Sequence, residues 1–235
     1  MLFRSKSYGV FVITGAGLKE IKEGTAVYTK NGEEDTLDGD AILLATGRGP
    51  NTEGLHAERA GVELTKRGAV VTDKHLRTTA ENIWAAGDVC GNLQFTYISL
   101  DDSRIILSDM QGDGSRTTEN RGAFAYSVFM EPSFSRVGLS EKEAADKGLN
   151  YRVVRMNTDM IPKAKVLRKT TGMLKAVIDK DSGKIFGAAL FCPESYEIIN
   201  MVKLAMDHDL DYTVLRDFIY THPTMSEGLN DLFAL

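Results

Sequence analysis

The run of strand-like and helix-like segments after residue 140 most constrains the fold. Ser140-Glu141-Lys142-Glu143 carries a capping-box pattern, a serine whose hydroxyl can serve the first turn with a glutamate three residues on, so a helix starts there and runs through Lys147. Three strands follow. Residues 173–177 and 185–191 flank the Asp181-Ser182-Gly183 turn, which reads as an antiparallel hairpin. Helical spacing then takes over. Residues 194–207 read as a helix with apolar Ile198, Ile199, Val202, Leu204 and Ala205, a shorter helix is expected near 214–218, and a last one over 224–232. Strands followed by helices imply an α+β unit with the helices on one face of an antiparallel sheet.

The preceding part reads differently. Residues 8–13 are strand-like, and residues 17–30 suggest two short strands about Lys22-Glu23-Gly24, before the turn signal Asn31-Gly32. Gly15-Ala16-Gly17 is a turn, because Glu20 stands where a nucleotide loop needs its third glycine and no adequate helix follows. Ala41-Ile42-Leu43-Leu44-Ala45 is near-continuously apolar, as a parallel strand buried on both faces should be, and it ends in Thr46-Gly47-Arg48-Gly49-Pro50-Asn51. Such strand ends face the ligand crevice of open α/β sheets, although a Gly/Pro exit loop between domains reads the same way. Short strands are expected at 69–72 and 82–86. The second delivers Gly87-Asp88, where a carboxylate can accept hydrogen bonds from ligand hydroxyls or cap the next segment. A helix follows over 93–110, its apolar period broken by Asp101-Asp102, and Gln111-Gly112-Asp113-Gly114-Ser115 is a candidate boundary.

Composition excludes several classes. At 235 residues the chain exceeds the usual single domain, and 43% hydrophobic with 26% charged residues is ordinary for a soluble globular protein. A net charge of -5 provides no broad basic field for nucleic acid or anionic membrane. The apolar runs are too short to span a bilayer and the N-terminus has no signal-peptide pattern, so a cytoplasmic location is expected. Two cysteines, Cys90 and Cys192, form neither a disulfide framework nor a zinc site, and each is expected to be a small buried apolar residue, with a reactive role left open for Cys192.

Near the end of the chain stands Thr221-His222-Pro223-Thr224-Met225-Ser226-Glu227. A carboxylate five residues after a histidine can hold one ring nitrogen and stabilise the imidazolium, leaving the other nitrogen to exchange a proton with a thiol. The alternative is two polar residues at a helix start, with Thr224 or Ser226 capping and Glu227 complementing the dipole.

Four motifs occur in one order. They are Ala45-Thr46-Gly47-Arg48, then Asn82-Ile83-Trp84-Ala85-Ala86-Gly87-Asp88-Val89-Cys90-Gly91, then Phe129-Met130-Glu131-Pro132 with Val137-Gly138-Leu139-Ser140-Glu141, and finally His222-Pro223-Thr224 with Glu227. Together they resemble the C-terminal half of the class I pyridine nucleotide-disulfide oxidoreductases, the group of glutathione reductase, dihydrolipoamide dehydrogenase and mercuric reductase. The stretch Leu93-Gln94-Phe95-Thr96-Tyr97-Ile98-Ser99-Leu100-Asp101-Asp102 and the ending Ser226-Glu227-Gly228-Leu229-Asn230-Asp231-Leu232-Phe233 look most like the reactive-chlorine-resistance branch, tied to defence against hypochlorous or hypothiocyanous acid.

The resemblance implies an α/β remnant of nucleotide-binding domains followed by the α+β interface domain. Residues 1–50 would be the tail of the NAD(P)-binding domain, 51–115 the C-terminal part of the FAD-binding domain, and 116–235 the dimerisation domain. It further implies FAD and NAD(P)H as cofactors, a homodimer, and a small oxidised substrate. Gly87 and Asp88 would hold the ribityl chain, Phe95 and Thr96 would lie by the flavin ring, Gly47 near the nicotinamide nucleotide, and Pro223, with a cis bond before it, beside the cofactor. His222 would be acid and base on the partner's site, oriented by Glu227. The sequence departs from the family in lacking the FAD glycine loop, the nucleotide G-x-G-x-x-G and the redox-active C-x-x-x-x-C. A portion of a longer or split enzyme is therefore expected, with a non-catalytic dimerisation or binding module as the alternative.

Overall fold

A computed structural model describes residues 8–235. They form two compact units, divided between Gly49 and Pro50.

In the first unit β1 (Ala16–Lys22), β2 (Thr25–Lys30) and β3 (Glu33–Asp38) make an antiparallel meander, β1-β2-β3. The two reversals use left-handed backbone at Glu23-Gly24 and Asn31-Gly32, the conformation that tight hairpins require and glycine supplies without strain. The third strand was not expected, because Glu33-Glu34-Asp35-Thr36-Leu37-Asp38 is polar on both faces. Its register against β2 explains it, with Tyr28 opposite Asp35 and a hydrogen bond of 2.8 Å from the phenol to that carboxylate. Two other expectations fail in this unit. Residues 8–13 and 41–45 form no strand, and Phe11 and Leu43 are almost fully exposed. An apolar run becomes a buried parallel strand only between neighbouring strands, and none flanks either run among the described residues. The Gly15-Ala16-Gly17 turn is confined to Gly15, since Ala16 and Gly17 already pair in β1.

The second unit begins with residues 50–95, an irregular chain held by single bridges, Leu64 to Val70, Thr72 to Thr78 and Arg77 to Trp84. The strands expected at 69–72 and 82–86 are reduced to these bridges. Short 3₁₀ turns occupy Ala57–Ala60 and Gly87–Cys90, and α1 (Thr96–Gln111) follows. The Asp101-Asp102 interruption in α1 has a structural cause. Both carboxylates are buried and paired: Asp101 with Arg116 and Arg121, and Asp102 with the Arg121 guanidinium at 2.7 Å and the Gly87 N–H at 2.8 Å. Buried charge is tolerated only when so matched.

The remainder is the α+β fold expected. β4 (Ala125–Val128), β5 (Phe134–Gly138), β6 (Tyr151–Asn157), β7 (Met173–Asp179) and β8 (Ile185–Phe191) form one antiparallel sheet in the order β4-β5-β8-β7-β6. Between β5 and β6, α2 (Glu141–Asp146) starts on Ser140 with the complete capping box. A brief α3 (Pro162–Val166) joins β6 to β7. Beyond β8 come α4 (Ser195–Asp207), α5 (Thr213–Arg216) and α6 (Gly228–Ala234).

Every second residue of β7, Leu174, Ala176 and Ile178, enters a core with Ala188 and Leu190 of β8, Ile198, Ile199 and Val202 of α4, and Leu229, Leu232 and Phe233 of α6. Period two on the strands and 3.6 on the helices thus bury one shared layer. Polar groups inside it are satisfied by a hydroxyl chain, Ser127 to Ser135 to Ser195 to Ser133, each step 2.8 Å, ending on the Cys192 carbonyl. Helix α6 starts at Gly228 rather than at 224, because Thr224–Glu227 are spent on the turn that carries the candidate site.

Candidate active site

Core packing fixes the site from below. Met225 is fully buried one residue after Thr224, and Leu229 is fully buried in the first turn of α6. Between them a β-carbon on Gly228 would lie 2.7 Å from Ile161, so the close seat of this turn requires glycine. Asn230 pins the approaching chain, its amide reaching the carbonyls of Leu215, Arg216 and Phe218 at 3.2, 2.6 and 3.0 Å. The loop bearing His222 is thereby strung between two anchored segments.

On that loop the His222–Pro223 bond is cis, as is Glu131–Pro132. His222 Nδ1 lies 2.8 Å from Glu227 Oε2. The imidazole is 71% exposed and the carboxylate side chain only 14%. Glu227 Oε1 is buried and meets no hydrogen-bond partner among the described residues, so the imidazole is the polar group the carboxylate serves. Hydrogen-bonding the proton on Nδ1 leaves the Nε2 lone pair facing outward, the form in which a histidine accepts a proton. The capping alternative is realised only in part. Glu227 occupies the position before α6, no side chain caps that helix, and Thr224 Oγ1 accepts from the Glu227 N–H at 3.4 Å.

The other candidates stand on other elements. Gly87 is buried at φ +75°, and an added β-carbon would stand 2.7 Å from Ser99 Oγ, so its glycine serves close packing of the 3₁₀ turn on α1. Asp88, next to it, is exposed. Phe95 precedes α1 in extended conformation with no side-chain cap, its ring 4.8 Å from Phe124 and 5.7 Å from Tyr126. Thr96 opens the helix, so the N–H groups of Thr96 and Tyr97 point out of its positive end. An exposed carboxylate at Asp88 and the unpaired N–H groups of the helix start are groups able to hydrogen-bond a polyhydroxyl ligand. Gly47, at φ +117°, lies in the unit of residues 1–49 and is exposed.

Both cysteines are buried, as small apolar residues should be. Burial pushes the Cys90 thiol up to about 11, with Asp102 adding to the effect, and the Cys192 thiol up to about 12, with Glu194 adding. Both shifts disfavour the thiolate, the reactive form. Reading the sequence alone passes over Arg121 and Asn230 and weighs Thr224 only as a cap. For Arg121 a signal existed, because two aspartates within an apolar helical stripe require buried cations.

The family description for the pyridine nucleotide-disulphide oxidoreductases matches residues 3–103, and that for their dimerisation domain matches residues 124–233. The chain belongs to the pyridine nucleotide-disulphide oxidoreductase family. It is 48% identical to the probable pyridine nucleotide-disulfide oxidoreductase RclA of Escherichia coli, over 98% of this chain and 52% of that protein. The mercuric reductase of Staphylococcus aureus is 34% identical over 94% of this chain and 41% of its own length. The solved structure of the HOCl-induced flavoprotein disulfide reductase RclA from E. coli superposes with a TM-score of 0.90 at 46% identity, over 99% of this chain and 54% of that one. The chain thus spans about half the length of the curated relatives it matches. These likenesses place it in the RclA branch and make the fold an α/β nucleotide-binding remnant followed by an interface domain.

Proposed function

We propose that this chain does the work of the C-terminal portion of an FAD- and NAD(P)H-dependent disulfide-type oxidoreductase, supplying the acid/base pair His222 and Glu227 and the surface of a homodimer. The observation that carries this reading is the 2.8 Å contact between a largely buried carboxylate and an exposed imidazole. Residues 1–50 act as the tail of the NAD(P)-binding domain, 51–115 as the end of the FAD-binding domain and 116–235 as the dimerisation domain. Bound FAD would accept hydride from NAD(P)H and pass electrons on to a thiol-disulfide couple. Asp88, next to Gly87, would accept hydrogen bonds from the ribityl hydroxyls, Phe95 and the Thr96 N–H would border the flavin ring, Pro223 would lie beside the cofactor, and Gly47 would let the nicotinamide nucleotide approach the backbone. His222 Nε2 takes the proton of an attacking thiol and returns it to the reduced product, while Glu227 steadies the imidazolium between the two events. His222 acts on the site of the partner subunit. The substrate is a small oxidised molecule, and the likeness to an HOCl-induced relative points to oxidant defence in the cytoplasm.

In the holoenzyme, His222→Ala is expected to cut substrate reduction by roughly 10²–10⁴-fold while flavin reduction by NAD(P)H stays nearly unchanged. Stopped-flow absorbance separates the two half-reactions, and loss confined to the flavin half-reaction overturns the role. A second reading has support in the absence of a C-x-x-x-x-C from the sequence and in the burial of both cysteines. On that reading the chain by itself is a dimerisation or binding module, and the purified protein is a colourless, inactive dimer rather than a yellow one that turns over NAD(P)H.

A further inference from the structure

Thr224 lies between the two members of the acid/base pair and makes two hydrogen bonds with one oxygen. Its hydroxyl donates to the Thr221 carbonyl at 2.8 Å and accepts from the Glu227 N–H at 3.4 Å. The first bond closes the chain across the His222–Pro223 bond. The second ties that closed turn to the residue whose carboxylate holds the imidazole. No other side chain bonds both the residue before His222 and Glu227 among the described residues.

We propose that Thr224 is the positioning residue of the pair, its hydroxyl fixing the Glu227 backbone against the His222 turn so that the carboxylate holds the Nδ1–H tautomer and Nε2 faces the reacting thiol. The proposal rests on the acid/base reading of His222 and Glu227. Physically, an exposed histidine on a loop samples several ring orientations and both neutral tautomers. Glu227 suppresses that freedom only while its own position relative to the ring is fixed. Met225 and Leu229 anchor the helix side in the core, and the Leu229 and Asn230 N–H groups bond the Ser226 and Glu227 carbonyls at 3.0 Å, but none of these bonds reaches Thr221. The hydroxyl is therefore the link between the anchored element and the exposed one. A β-branched residue is needed as well as an oxygen only if the methyl packs, and Thr224 is half-buried, so serine should retain the function.

The tautomer is read directly by ¹⁵N-detected imidazole spectra of this chain in alkaline buffer, without cofactor or substrate. His222 in the unaltered protein is expected to be predominantly Nδ1–H. Thr224→Val, close in shape but without the hydroxyl, should move it to a mixture of both tautomers, and Thr224→Ser should leave it as it was. In the holoenzyme, Thr224→Val should lower kcat for substrate reduction about tenfold, a part of the whole acid/base contribution, with KM within about twofold and flavin reduction unchanged. A folded Thr224→Val protein that keeps the Nδ1–H tautomer overturns the proposal, whatever its melting temperature. Should the valine variant fail to fold, Thr224→Ala removes the oxygen without a methyl in its place and is read in the same way. Glu227→Ala separates the two levels of inference. If it too leaves the tautomer unchanged, the pair itself is wrong and the proposal falls with it; if it shifts the tautomer while Thr224→Val does not, only the role of Thr224 falls.

Discussion

Glu143 shows how a single side chain couples stability to pH in this fold. Hydrogen bonds from Ser140, and then the neighbouring Arg136 guanidinium, hold its carboxyl down at about 2. A carboxylate lowered by folding stabilises the native state above its ordinary value of 4.5, and that contribution is lost as pH falls from 4.5 toward 2. Glu143→Gln keeps the capping hydrogen bond and removes the charge. The acid limb of Tm against pH should therefore flatten across that window, by a modest amount because the group is solvent-exposed; an unaltered limb would remove Glu143 as its source. The thiols behave oppositely. Cys90 and Cys192 are buried and raised, so alkylation of the native chain at neutral pH should be slow and should become complete only in denaturant. Rapid labelling of Cys192 in the folded protein would contradict its burial.

At the scale of elements, close backbone approaches limit what the interface-domain sheet tolerates. Gly138, at φ +66°, ends β5 where an added β-carbon would lie 2.3 Å from the Phe186 carbonyl oxygen and 2.6 Å from Met206. Gly138→Ala adds left-handed strain to overpacking, each costing about 1–3 kcal/mol, and urea unfolding should show a loss of about 2–6 kcal/mol. A loss under about 1 kcal/mol would mean that β5 and β8 slide apart freely there. How far these elements could be read from the sequence follows from whether their determinants are local. The α2 capping box, the β7–β8 hairpin and the stripe of α4 are set by residues within one turn or one reversal, and they form where the spacing puts them. Ala41–Ala45 was misread because burial is a property of neighbours, which an apolar run does not encode. The polar β3 was missed for the converse reason, since cross-strand partners such as Tyr28 and Asp35 hold it without an apolar face. At the site, His222 and Glu227 were legible because a five-residue spacing spans one turn. Thr224 was weighed only as a cap, since its bond to the Thr221 carbonyl depends on the path of the chain around Pro223.

For the whole molecule, the question is what covers the apolar surface around the acid/base loop. Among the described residues no helix is long and apolar enough to cross a membrane, so these side chains are not part of a helical span. Phe218 is half-exposed and Ile219 is 94% exposed, three residues before His222 and inside the stretch that matches the dimerisation domain. On the dimer reading, this exposed aromatic and aliphatic pair lies in the contact with the second copy. If His222 works on the site of a second copy, the residues leading into it must meet that copy, because a loop cannot deliver its imidazole across an interface while its flank stays in water. Multi-angle light scattering of the purified chain is then expected to give twice the 25.8 kDa chain mass. Ile219→Asp, which places a charge in that contact and leaves the core untouched, should shift the equilibrium toward monomer by roughly tenfold or more, since burying an unpaired carboxylate costs at least about 1.4 kcal/mol. A dimer of unchanged affinity would place the interface on another face of the sheet, and a monomer in the unaltered protein would leave His222 with no partner site to serve.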